Sequence, residues 1–189
     1  MSLFAENLPP DLKFVPSWLS EVEHRKAIEE VDSRPFENTL SRRVQHYGAR
    51  YDYFDASVKE IGSAPPIPEF LWSLGQRLVA EGYFAEIPEQ VIVNEYLSDQ
   101  GIAAHIDRPD FGPAVATVSL LESWTMQFYG PTDEMIELLL QSRSLAVMTG
   151  RSRSEWSHGI ARRKSDNVGG LRTSRHRRVS LTFRTLNHK

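Results

Sequence analysis

The chain opens with helical patterning and changes character after Gln90, where apolar residues come in short alternating or continuous runs. Ser20-Glu-Val-Glu23 has the spacing of a capping box and predicts a helix running through about Asp32. Pro65-Pro66 marks a loop. Pro68-Glu69 then opens a second helix with Phe70, Leu71, Leu74 and Leu78 on one stripe, ending at Gly82. The later runs, at 90–97, 102–107, 115–121, 124–129, 144–149 and 178–186, read as strands. Short strands at close spacing, with turn residues between them, predict an antiparallel barrel or sandwich rather than a parallel sheet with crossover helices. The expected class is therefore mainly β (α+β): a jelly roll, with its core at about 90–187, supported by N-terminal helices.

Composition narrows this picture. A chain of 189 residues, 40% hydrophobic and 25% charged, is long enough to enclose one core and predicts a single domain over 1–189. Cysteine is absent, which excludes disulfides, thiolate zinc and cysteine nucleophiles together. Met1-Ser-Leu-Phe-Ala-Glu6 has no basic or apolar leader pattern and no apolar run approaches a membrane span, so a cytoplasmic protein without membrane partners is expected, and a monomer is taken as the default although no pattern in the chain bears on its oligomeric state. The net charge of −3 conceals an asymmetry. Residues 151–189 hold eleven Lys and Arg against Glu155 and Asp166, an excess of +9. That excess fits a cationic surface for a phosphate backbone, and it equally fits a solvated basic tail.

Three groups of residues carry candidate chemistry. His105 and Asp107 stand two apart in a run that reads as a strand, so their side chains point the same way. With His158 as a third ligand they would form the two-histidine, one-carboxylate set of non-haem Fe(II) oxygenases. Chance supplies a lone His-x-Asp pair readily. In Arg178-Val-Ser180-Leu-Thr182-Phe-Arg184, alternation puts Arg178, Ser180, Thr182 and Arg184 on one face. If that face is buried, two guanidinium groups require anionic partners, and a small dicarboxylate gripped at both ends fits between them. If it is exposed, they belong to the basic surface. Asn94 and Tyr96 repeat the same two-residue geometry and would complete the hydrogen bonding of a buried carboxylate.

Taken in order, Asn94-x-Tyr96, Gly101-x-x-x-His105-x-Asp107, Val118-Ser-Leu120, His158-Gly159 and Arg178-x-Ser180-x-Thr182-Phe-Arg184 resemble the AlkB family of Fe(II)- and 2-oxoglutarate-dependent dioxygenases, over roughly residues 40–187. Arg42-Arg43-Val-Gln-His46-Tyr47-Gly48 and Trp156-Ser-His158-Gly159-Ile160 look most like the branch in which animals fuse an AlkB domain to a tRNA methyltransferase. The resemblance implies a double-stranded β-helix with Fe(II) on His105, Asp107 and His158. It implies 2-oxoglutarate held by Arg178, Asn94, Tyr96, Ser180 and Arg184, with O₂ as co-reactant. Oxidative dealkylation of N-alkylated bases in DNA or RNA would release succinate, CO₂ and formaldehyde. A nucleotide-recognition lid is implied at about 40–54, where Arg43 would hold a phosphate and Tyr47, Tyr51 and Tyr53 would stack a flipped base. Well-known repair members carry an acidic residue two positions after the metal aspartate. Pro109 stands there in this chain, leaving Asp110 as the nearest substitute and keeping two alternatives open: the same chemistry on a tRNA base, a protein or a small molecule, or a non-catalytic nucleic-acid-binding module. Residues 161–177, rich in glycine and basic side chains, are expected to form a mobile loop tracking a phosphate backbone.

Overall fold

The computed structural model describes residues 7–38, 41–52 and 57–187. In chain order these form β1 (Leu12–Val15), α1 (Glu21–Asp32), β2 (Arg43–Tyr47), β3 (Ala49–Asp52), β4 (Ser57–Ile61), α2 (Glu69–Ala80), β5 (Gln90–Tyr96), β6 (Ile102–His105), β7 (Phe111–Leu121), β8 (Trp124–Tyr129), β9 (Met135–Leu140), β10 (Leu145–Met148), α3 (Gly150–Ser154), β11 (Ser157–Ile160), β12 (Ser165–Val168), β13 (Leu171–Ser174) and β14 (Arg178–Leu186).

Both long helices start where the sequence signals them. The Ser20 hydroxyl accepts from the Glu23 amide and the Glu23 carboxylate accepts from the Ser20 amide, which closes the capping box of α1. Proline 68 caps α2, where its missing amide costs nothing. Each helix buries one stripe, Ala27 and Val31 on α1 and Leu71, Leu74 and Leu78 on α2. Those side chains pack on Val91, Val93, Ala116, Val118, Val179, Leu181 and Phe183. Truncating a fully buried leucine such as Leu71 would cost about 2–5 kcal/mol.

The packed residues occupy alternate positions of a six-stranded antiparallel sheet ordered β1-β10-β7-β14-β5-β2. Its opposite face meets a four-stranded sheet, β6-β11-β8-β9. Val115, Phe128, Leu138, Leu140, Met148 and Trp156 fill part of the space between the two sheets. Two sheets closed around one core make the jelly roll that the strand pattern predicts.

Several elements differ from expectation. The mostly apolar segment of β9, interrupted by Glu137, has no diagnostic period, and only its antiparallel pairing with β8 makes it a strand. The polar, glycine-containing segment of β11 is a strand because β6 and β8 flank it on both sides. β1 and β2 join the large sheet, so the jelly roll draws on residues well before 90. The expected loop at 161–177 contains an ordered hairpin, β12 paired to β13. Gly169 and Gly170, with φ of +59° and +83°, supply the two left-handed positions of its tight turn. At its base the buried Arg175 is ion-paired to Asp166 at 2.6 Å.

Candidate active site

The candidate metal ligands His105 and His158 come from adjacent strands of the small sheet. His105, the last residue of β6, is directly opposite His158 of β11, and their ring centroids are 4.6 Å apart. Asp107 lies just beyond the end of β6 rather than within it, yet its carboxylate still joins the pair. One potential ligand atom from each of the three lies within 4.8 Å of the others. The His105 ring bonds the Ala103 carbonyl through Nδ1 at 2.9 Å, which leaves Nε2 for a metal. Asp107 Oδ2 is buried without a hydrogen bond, 3.6 Å from His158 Nε2. Burial pushes His158 down to about 4, so the imidazole is neutral and able to coordinate. Burial alone would raise the Asp107 carboxyl, but nearby positive charge, that of Arg184 foremost, outweighs it and holds the group below the usual carboxylate range. A buried orphan carboxylate oxygen beside two imidazole rings is a donor set that suits Fe(II).

The large sheet supplies the opposite wall. On β14 the polar face does turn inward: Arg178 is 1% exposed, and Ser180 and Thr182 are buried. Tyr96 is paired across from Arg178 and Asn94 across from Ser180, so the two polar pairs inferred from separate stretches share one register. Arg184 donates to Asp107 Oδ1 and thereby marks the metal end. Arg178 marks the other end. Its Nη2 donates to Ser119 Oγ at 3.0 Å and its Nε has no partner. Burial lowers it to about 10, and among the described residues no carboxylate pairs with it. Between the two arginines lies a cavity of about 390 Å³, lined also by Ile92, Thr117, Met126 and Met148. An unpaired buried guanidinium is costly unless an anion enters, so this wall fits a dicarboxylate whose other end reaches the metal.

The model of the 2OG-Fe(II) oxygenase superfamily matches residues 11–184. Bovine alpha-ketoglutarate-dependent dioxygenase alkB homolog 7 is 31% identical, over 90% of this chain and 76% of its own length. The chain belongs to the AlkB family of 2OG-Fe(II) oxygenases. The mouse tRNA (carboxymethyluridine(34)-5-O)-methyltransferase ALKBH8 is 35% identical over 95% of the chain, which spans 31% of that relative. The solved structure of OsALKBH1 superposes with a TM-score of 0.72 at 19% identity, covering 95% of this chain and all of that one, and shares the double-stranded β-helix fold. AlkB membership implies Fe(II), 2-oxoglutarate and O₂. His105, Asp107 and His158 fit the metal, and Arg178 with Arg184 fits the dicarboxylate.

The residues expected to meet the nucleotide fare differently. Tyr47 is 4% exposed, packs in the core beneath the helices and donates to Gln45 Oε1 at 3.0 Å, so it cannot stack a base. Arg43 is bidentate to the fully buried Glu95 and lies over Phe36, away from the cavity. Asp110 is ion-paired with Arg108 at 2.8 Å and does not line the cavity. Tyr51 does line it, and packs against Phe111 at 6.2 Å. Tyr53 falls outside the described residues. Two arginines went unassigned on sequence. Arg42 lines the cavity beside Asn94. Arg153 is 8% exposed and donates to the carbonyls of Asp107 at 2.7 Å, Arg108 at 2.6 Å and Phe111 at 3.3 Å, stapling the loop that carries the candidate metal-binding aspartate. The signal for Arg153 was its place in the helix just before His158. Its partners are 42–46 residues away and invisible to local pattern.

Proposed function

We propose that this AlkB protein is a dioxygenase that oxidises the alkyl substituent of a nucleobase in DNA or RNA, with Arg178, Asn94, Tyr96, Ser180 and Arg184 holding 2-oxoglutarate. The observation that carries the reading is the buried, anion-less Arg178 at the far end of a cavity that has the His105, Asp107 and His158 set at its near end. Fe(II) with 2-oxoglutarate supplies the oxidising power, O₂ being divided between succinate plus CO₂ and a hydroxyl on the alkyl carbon. The protein's part is orientation. Arg184 and Arg153 fix Asp107 through its side chain and its carbonyl, Ala103 fixes His105, and the apolar lining from Ile92, Met126, Met148 and Phe111 excludes water. Where the alkyl group is attached through nitrogen, the hydroxylated product collapses to formaldehyde and a free base. Where it is attached through carbon, the alcohol persists.

The second outcome has specific support. The cavity lining holds Arg42, Arg108, Arg178 and Arg184 but a single acid, Asp107, which is taken by the metal set. A cationic methylated base finds no counter-charge there, whereas a neutral modified base does not need one. The similarity to a relative named as a tRNA carboxymethyluridine methyltransferase points the same way. The test is to supply Fe(II), 2-oxoglutarate and air with methylated oligonucleotides and with bulk tRNA, then to measure succinate, formaldehyde and nucleoside masses. Succinate coupled to formaldehyde marks dealkylation, and a nucleoside that gains one oxygen marks hydroxylation. Substrate-independent succinate release with neither product would defeat the nucleobase reading. His105→Ala should abolish every one of these signals.

A further inference from the structure

We propose that Arg42, immediately before β2, is a second cationic arm of the cosubstrate site, holding Asn94 in its donor orientation and adding charge at the end of the cavity away from the metal. This rests on the 2-oxoglutarate reading of Arg178. Arg42 Nε donates to Asn94 Oδ1 at 2.8 Å. With its oxygen accepting from Arg42, the Asn94 amide is oriented so that its NH₂ group is available to the cavity it lines, and an NH₂ seeks an anion or another acceptor. Arg42 and Arg178 also converge on one aromatic ring, their guanidinium carbons 6.0 and 5.5 Å from the Tyr96 centroid.

The local charge balance makes the same point. Most arginines around the sheets have acids: Arg43 and Arg177 share Glu95, Arg50 has Glu37, Arg163 and Arg175 share Asp166, and Arg184 has Asp107. Arg42 and Arg178 have no such ion pair among the described residues. Two unneutralised guanidinium groups beside one ring repel unless an anion lies between or beside them. The register explains why the positions coincide. Val44 is opposite Asn94 on β5, so Arg42, two residues earlier, extends over the Tyr96 end of the same inward face.

Binding measured without turnover tests this. Protein loaded with Mn(II) in place of iron is titrated calorimetrically with 2-oxoglutarate and with 2-oxobutyrate, which keeps the oxo-acid end and lacks the distal carboxylate. Arg42→Ala should weaken 2-oxoglutarate about tenfold while leaving 2-oxobutyrate unchanged, and Arg42→Lys should recover part of the loss because it restores charge without the planar fork. Combining Arg42→Ala with Asn94→Ala should cost less than the sum of the single changes, since one acts partly through the other. Wild-type affinity in Arg42→Ala, or equal weakening of both ligands, would overturn the assignment. So would a loss confined to oligonucleotide affinity, which would make Arg42 a substrate contact. A wild-type protein that takes Mn(II) but binds no 2-oxoglutarate would remove the underlying reading itself, a result distinct from any variant effect.

Discussion

Arg178 shows how far a single side chain can be removed from its stability optimum. It is among the largest fully buried side chains, and it has one hydrogen bond to a serine hydroxyl and an unsatisfied Nε. Burying a guanidinium without an acid costs more than an apolar side chain of similar length would. Arg178→Met should therefore leave the ligand-free protein as stable as wild type or raise its stability by about 1–3 kcal/mol. It should at the same time abolish the rise in melting temperature that 2-oxoglutarate gives. Thermal unfolding with and without the cosubstrate checks both halves, and a marked destabilisation of the ligand-free variant would mean that the protein already satisfies this charge. That Arg178 shares a face with Ser180, Thr182 and Arg184 was legible from alternation on β14, and that this face turns inward was not. Nor was its lack of an acidic partner, because that depends on which strands flank it.

At the scale of elements, the site depends on how closely β6 and β11 approach and on how the loop after β6 is held. A Cβ built on Gly159 would lie 2.8 Å from the Ala104 backbone nitrogen and 2.9 Å from the Ile102 carbonyl oxygen. Gly159→Ala must push the two strands apart and so separate His105 from His158. Metal affinity is expected to fall at least tenfold, and the variant with unaltered Co(II) or Fe(II) binding would contradict this account. Arg153 acts from the other side. Replacing it with methionine strips three carbonyls of their donor and should destabilise the protein by about 1–3 kcal/mol. Because Asp107 is in the stapled loop, metal affinity should drop as well, and Arg153→Lys should not restore it, since a point charge cannot match the fork. Titration with Co(II) alongside urea unfolding separates the two effects.

Over the whole molecule, most of the arginines in residues 151–189 are already engaged by the protein's own groups, some at the surface and some buried. Arg175, Arg163, Arg177, Arg184 and Arg151 have carboxylate partners, Arg153 has carbonyls and Arg178 is buried. Arg162, Lys164 and Arg172 remain outward on or beside the β12–β13 hairpin. If duplex DNA is bound, these three cations of the described residues predict a plot of log affinity against log salt with a slope of about −3, where full use of the +9 excess would give about −8. Acid sensitivity is a second global property. Burial holds both His46 and His158 at about 4 in the folded chain, against an ordinary value of 6.5. Between those values the unfolded chain takes up protons that the folded chain refuses, so stability of the metal-free protein should fall as pH drops from about 6.5 to 4. Urea midpoints across that window should decline by up to two protons' worth of slope, and His46→Gln should flatten the decline. No helix among the described residues is long and apolar enough to cross a membrane. Local rules were sufficient for what depends on neighbours in the chain: both helix starts, and the alternation that sets Arg178, Ser180, Thr182 and Arg184 on one face of β14. Contacts distant in sequence decided the rest. Pairing alone made strands of β1, β2, β9 and β11, placed Tyr96 against Arg178, and turned a basic loop into a hairpin pinned by Asp166. The same long-range packing buried Tyr47 and tied up Arg43, because a side chain's environment is set by what folds against it.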